Sequence, residues 1–216
     1  MVLLVSGLTA MAQHRDARLW AGFTLRYDLN KRWSLSLEEE ARIYENFSRL
    51  DKINSEFTVN YQINKILDAG LLYRLISGYT RENRFEYGNR LGAFIGAQKK
   101  LSGWNGSVKV SFQETYPAFN RSSDWQIAEN YVRAQAGISR QLRNKKTEPY
   151  TDIEFWYRIP AGAQAFVDQY RYTIGIRQKL NKSNRLELYY RIQQEMQVKD
   201  PLTAHIIGIG YRFIIR

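Results

Sequence analysis

Few side chains in this sequence are reactive by type. Cys is absent and His occurs twice, at positions 14 and 205. A hydroxyl nucleophile needs a base to take its proton. Thr203 and His205 are two residues apart, which puts them on one face of an extended segment. Such a pair would suit a lipid hydrolase or acyltransferase with His205 as base. No acid that could orient the imidazole stands at a useful spacing, so an interfacial histidine is the plainer reading. Glu38 and Glu40, also two apart, can set two oxygens on a hard cation. Arg42 on the same face makes an ion-pair ladder the better expectation. With so few histidines and no thiols, no metal and no cofactor are expected.

The larger constellation is a set of charges at alternate positions. Arg26, Arg42, Arg74, Arg90, Arg133, Arg171, Arg177, Arg191 and Arg212 are offset by Asp28, Glu38, Glu40, Glu56, Asp68, Glu86, Asp152, Glu154, Glu187 and Glu195. Near-balance of this kind predicts a paired network packed into a narrow interior, and less a binding surface.

The elements that carry these charges repeat one pattern. In 185–195, Leu186, Leu188, Tyr190 and Ile192 alternate with Arg185, Glu187, Tyr189, Arg191, Gln193 and Glu195. A period of two means an extended strand with an oily and a polar face. The pattern recurs about eleven times, in strands of about 10 residues. Examples are 53–63, 67–75, 127–142 and 169–180. In strand 33–44 the oily list is interrupted by Glu39. Short turns near 31, 65, 104, 145 and 182 alternate with longer loops near 48, 80, 121, 163 and 199, a hairpin period of about 34–42 residues.

Which face meets the oil decides the class. A soluble β-sandwich or lipocalin-like barrel would keep the apolar lists inside. Three features favour the reverse. Gly70, Gly88, Gly92, Gly96, Gly137, Gly175, Gly208 and Gly210 all fall in the polar lists, as a crowded interior requires. The charges of those lists nearly cancel. Aromatics stand at the strand ends, with Tyr27, Trp33, Tyr61 and Trp104 at one rim and Phe85, Tyr87, Tyr157 and Tyr172 toward the other, as in membrane girdles. The fold class expected is all-β: a transmembrane antiparallel β-barrel of about 10–12 strands with short periplasmic turns and longer extracellular loops. Eleven strands can be counted, but single-chain bacterial barrels have even numbers. An even barrel is therefore expected, with a strand hidden in Phe85–Leu101 or 127–142; parallel closure of the first and last strands is the alternative.

Composition agrees with this. The mean hydropathy of −0.50 hides alternating strands, because each apolar residue is averaged with a polar neighbour. Tyr (15) and Trp (5) are frequent and Pro (4) is scarce, as strands and membrane interfaces favour. The net charge of +11 gathers in Lys31, Arg32, Lys65, Lys99, Lys100, Arg143, Lys145, Lys146 and Lys182 at the short-turn end. That placement predicts a rim facing anionic headgroups and argues against nucleic acid as a partner. Residues 1–12 read as an export signal, with an apolar run at 2–8 and an Ala10-Met11-Ala12 cleavage box, although a basic start is missing. Residues 13–216 would then form a single barrel.

Several motifs occur in order along the chain: Leu35-x-Leu37-Glu38-x-Glu40-x-Arg42, Gly70-x-x-Tyr73-Arg74, Pro149-Tyr150-x-x-Ile153-Glu154, Leu188-x-Tyr190-Arg191 and Gly208-x-Gly210-Tyr211-Arg212-Phe213. With them the chain resembles the Bacteroidota outer-membrane barrels grouped as a domain of unknown function, DUF2490. The resemblance implies a small antiparallel barrel in the outer membrane of a Gram-negative cell. It brings no activity and no functional residues. Outer-membrane barrels commonly end in an aromatic, whereas here Phe213 is followed by Ile214-Ile215-Arg216.

The function expected is a narrow or plugged structural or docking barrel with a charged lumen. A small pore for polar solutes is the first alternative and a lipid-modifying enzyme the second. The expected partners are outer-membrane lipids and an unidentified surface or periplasmic protein. The aromatic and charged loops 79–85 and 117–125 are the candidate contact points.

Overall fold

The computed structural model describes residues 14–79, 85–116, 129–198 and 200–216. The segment read as an export signal lies outside them, as do loop 117–125 and most of loop 79–85. The described chain forms eleven strands: β1 (His14–Asp28), β2 (Trp33–Tyr44), β3 (Arg49–Gln62), β4 (Leu67–Tyr79), β5 (Phe85–Leu101), β6 (Trp104–Tyr116), β7 (Glu129–Arg140), β8 (Thr147–Ile159), β9 (Phe166–Lys179), β10 (Asn184–Glu195) and β11 (Leu202–Ile215). Each pairs with its neighbours in sequence, and β1 also pairs with β11, so the sheet closes into a barrel. Closure leaves no unpaired edge.

The even strand count is corrected to eleven. Phe85–Leu101 is one 17-residue strand, and the second long segment holds only β7. An odd number brings β1 and β11 together in the same direction, from His14↔Leu202 to Tyr27↔Ile215, and this seam alone is parallel. The evenly spaced, slanted bonds of a parallel ladder close the barrel over the full height of both strands.

The alternation of short and longer connections has an exception at β2–β3. β3 begins at Arg49 and β4 runs to Tyr79, because main-chain pairing continues beyond the last apolar residue. Residues 45–48 are then all that separates β2 from β3, fewer than residues 141–146 between β7 and β8. Glu45, Asn46 and Phe47, with φ of 50°, 55° and 67°, make this tight reversal. Below, the rim reached by Tyr44, Ile159 and Glu195 is the loop rim and its opposite the turn rim.

At the turn rim four hairpins use one device. The side-chain oxygens of Asn30, Asn64, Asn144 and Asn181 each accept the backbone N–H groups two and three residues on, at 2.8–3.0 Å. This is the Asx turn, in which a short amide side chain imitates a backbone turn. Each asparagine is followed by lysine, which puts part of the basic charge on this rim.

Glycine and aromatic residues interlock on the inward face. Phe94, Tyr150 and Tyr189 stand directly across strand pairs from Gly70, Gly175 and Gly208. A Cβ at any of those glycines would run into the facing ring. The inward rings lie flat on the wall because glycine leaves the space, a known way to stabilise glycine in a strand.

The burial pattern is that of an inside-out protein. Every strand carries exposed large apolar residues on its outward face, such as Leu71 (64% exposed), Val108 (55%) and Ile207 (54%). The buried apolar cluster is small: Trp20, Ala204 and Ile206, with Tyr189 against it, all on the inner side of the wall around the β1–β11 seam. Most buried polar residues also face inward, including Gln113, Glu154, Arg171 and Thr173.

Candidate functional site in the barrel interior

The period-two pattern sends one list of each strand into the barrel, and two tryptophans enter with the charges. Trp20 of β1 is 2% exposed and Trp156 of β8 is 5% exposed. Arginines pack on their rings. The Arg42 guanidinium lies 3.8 Å from the Trp20 ring centre and that of Arg191 lies 5.2 Å away. Arg133 lies 4.2 Å from Trp156 and Arg90 5.3 Å. Arg171 reaches both, at 5.6 Å from Trp20 and 4.6 Å from Trp156. Side chains of β1, β2, β5, β7, β8, β9 and β10 therefore meet in one cluster. A guanidinium stacks on an aromatic face and keeps its in-plane donors for carboxylates.

The carboxylates are used in that way. Glu40 binds Arg42 at 2.6 Å and also accepts from Asn54. Glu56 of β3 binds Arg74 of β4 at 2.6 Å. Glu154 of β8 is shared by Arg133, a close pair, and by Arg171 at 3.7 Å. Arg177 bridges Glu187 at 2.9 Å and Glu148 at 3.3 Å, with its guanidinium over Tyr150.

The other charges expected inside take separate places. Arg26 pairs with Asp28 at 2.7 Å near the turn rim. Glu38 accepts from Thr24 at 3.5 Å and Asp152 from Gln135 at 3.3 Å. Arg191 donates to Thr173 at 2.9 Å. Arg212 lines a turn-rim cavity, and Glu86 stands across from Gly78 toward the loop rim. Arg90 donates to neutral Thr115 at 2.8 Å and Gln113 at 3.5 Å.

Cavities occur at several heights of the interior. A cavity of about 470 Å³ opens at the turn rim, lined among others by Lys145, Lys146, Arg185 and Glu187. A second, of about 450 Å³, lies above it around Asp68, Lys109 and Gln135. A third, of about 220 Å³, lies toward the loop rim and has both tryptophans in its wall.

A family profile described as "Protein of unknown function (DUF2490)" matches residues 17–201. The chain belongs to the DUF2490 family. No curated protein matches it. The matched span of this DUF2490 barrel runs from β1 through β10, so it contains both tryptophans and all five stacked arginines. The family description carries no activity, and the chemistry has to be read from the side chains.

Sequence reasoning missed the two tryptophans as organising residues, and with them Phe94, Leu72 and the pairs Arg18–Asp16 (2.6 Å) and Arg158–Glu129 (2.5 Å). The signal was present: a large ring in a polar list, at Trp20 and Trp156, must be accommodated inside the barrel.

The reactive-type residues sit elsewhere. His205 is on the outward side of β11, where its Nδ1 is 2.6 Å from the Tyr190 hydroxyl and the two rings stack. Thr203 donates to Gln194 instead of to His205. Glu39 is also outward, directly opposite Ser55, whose hydroxyl donates to it at 2.7 Å.

Proposed function

We propose that this DUF2490 protein is an integral β-barrel of the outer membrane of a Gram-negative bacterium, with a lumen closed by the arginine–tryptophan cluster and a structural or docking role. The observation that carries the membrane reading is the outward belt: all eleven strands expose large apolar side chains, while most of the charged lists face inside. In water such a surface would aggregate; in lipid it is the requirement. The turn rim, with its Asn-Lys hairpins, then faces the periplasm.

The closed lumen reading rests on Arg171, which spans from Trp20 to Trp156, and on the four further arginines stacked on the same two rings. A barrel of this size can be nearly filled by its own side chains. His205 bound to Tyr190 on the outer wall fits an interfacial residue, since catalysis would need Thr203 and His205 joined and an acid behind them. The cavities favour one second reading, a small pore for polar solutes that opens when the arginines shift.

The test is outer-membrane fractionation, a gel comparing heated with unheated protein, and planar-bilayer recording. The expected result is membrane recovery, a heat-dependent mobility shift and no large stable conductance. Recovery as a soluble protein with unshifted mobility would overturn the membrane reading. A large stable conductance would replace the closed barrel by the pore.

A further inference from the structure

The cavity toward the loop rim has a charge imbalance centred on one residue. Among the described residues six cations line it, and five of them have a carboxylate. Arg18 binds Asp16 at 2.6 Å, Arg42 binds Glu40 at 2.6 Å, Lys52 binds Asp51 at 3.4 Å, Arg74 binds Glu56 at 2.6 Å and Arg171 reaches Glu154 at 3.7 Å. The sixth, Arg90, has none among the described residues. Its hydrogen bonds go to the neutral oxygens of Thr115 and Gln113. Its direct cross-strand neighbour is Arg74, a like charge.

Two further donors are short of acceptors. The indole N–H groups of Trp20 and Trp156 are buried with no hydrogen-bond partner among the described residues, and both rings belong to the wall of this cavity. Donors without acceptors and a half-buried guanidinium without a counter-charge are costly to maintain. The acidic side chains at the cavity are already engaged: Asp51 with Lys52, and Asp168, which Arg158 approaches at 4.0 Å.

We propose that this cavity is a binding site for a small oxyanion, a carboxylate, phosphate or sulfate group, held by Arg90 against Trp156. The class follows from the donors. A guanidinium offers planar paired N–H groups, which match the oxygens of such a group. A cation would meet an excess of arginine, and a neutral solute would leave the charge of Arg90 unanswered. The volume of about 220 Å³ admits a small acid or the terminal group of a larger one. The site is defined by side chains inside the barrel, so it stands whether or not the barrel resides in a membrane.

The test is titration of the full chain in zwitterionic detergent micelles with inorganic phosphate, sulfate and acetate at constant ionic strength. Tryptophan fluorescence and calorimetry report binding. At least one probe should bind saturably. Its Kd should rise roughly tenfold or more in Arg90→Gln, the size expected for one charge-assisted contact. Gln113→Glu is the second variant. It replaces a 1% exposed acceptor of Arg90 by an isosteric carboxylate, so it supplies the missing counter-charge from within and should abolish binding while leaving the fold intact. Lys145→Gln in the opposite, turn-rim cavity should leave Kd unchanged. Should Arg90→Gln fail to fold, Gln113→Glu decides. The proposal falls if no probe binds saturably, if Gln113→Glu binds as tightly as the parent chain, or if Lys145→Gln alone removes binding.

Discussion

The ring of Tyr189 lies over Gly208, its direct partner across the β10–β11 pair, so closely that a Cβ on Gly208 would come within 1.9 Å of the ring's Cζ. The ring in turn packs against the Trp20–Ile206 cluster and carries Arg191, 5.0 Å from its centre. This glycine thus holds one side of the arginine–tryptophan cluster in place. Gly208→Ala should force Tyr189 off the wall and cost about 1–3 kcal/mol, the usual penalty for overpacking. Adding Tyr189→Leu should recover part of it. Gly22→Ala is the control, because its Cβ would meet only the Glu39 carbonyl oxygen, at 3.7 Å. It should change stability by less than about 0.5 kcal/mol. Denaturant midpoints of the three variants, measured in one detergent, check this.

Arg74 and Arg90 face each other across β4–β5, and Glu56 answers only the first. Glu56→Gln removes the carboxylate that neutralises Arg74 from the β3 side and leaves two like charges facing each other. The Arg74–Glu56 pair is 14% and 17% exposed in its side chains, so lumen water screens it in part. A loss of about 2 kcal/mol is expected, near that of a hydrogen bond to a charged group. Arg90→Gln on that background should restore stability, although it removes a hydrogen-bonding residue, because repulsion from Arg74 goes with it. If the double variant is less stable than Glu56→Gln alone, the two arginines do not oppose each other.

The strands, their faces and the closed sheet were legible because a period of two survives in every segment, as in Leu186 to Ile192. The parity was not. The alternation in Phe85–Leu101 allows one strand or two, and nothing in the pattern of β1 or β11 distinguishes a parallel seam from a missing antiparallel partner. The β2–β3 connection was misread for a related reason. Polar residues such as Arg49 and Asp51 pair their backbones in β3 without showing any apolar alternation. Inside the barrel, the charged positions could be placed by face, but pairing depends on the stagger between strands. Glu154 reaches Arg133 and Arg171 on its two sides, and no spacing along the chain encodes that. The tryptophans were visible only as exceptions within polar lists.

Glu39 is the exception on the opposite face. It stands outward in mid-strand, level with Phe23 on β1 and Ser55 on β3. In the membrane reading the Ser55 hydroxyl is a single donor for a carboxylate otherwise set among apolar neighbours. Glu39→Leu should insert at least as well as the parent chain and gain up to about 1 kcal/mol, since acids cost less than bases on a lipid face but still cost. Ser55→Ala should move stability the other way by about 1 kcal/mol, by leaving the carboxylate without its donor. Urea titrations of refolding into phospholipid vesicles measure both. A clear loss in Glu39→Leu would mean that the carboxylate is required where it is.

Leu188 and Arg191 sit three residues apart on β10 and therefore on opposite faces of the wall. Leu188 is 47% exposed outward, while Arg191 points in toward Trp20 and Tyr189. In lipid, Leu188→Arg puts a guanidinium on the hydrocarbon side, which costs about 2–4 kcal/mol near the midplane. Its folded yield in vesicles should collapse, and the heat-modifiable band should weaken or vanish. Arg191→Ala removes a guanidinium stacked inside and one hydrogen bond to Thr173. It should insert normally and lose about 1–2 kcal/mol of stability, because water in the lumen can satisfy Thr173. The contrast between the two variants carries the test. If Leu188→Arg inserts as well as the parent while Arg191→Ala does not, the apolar faces do not meet lipid, and the barrel is a soluble one with its oily surface covered by something else.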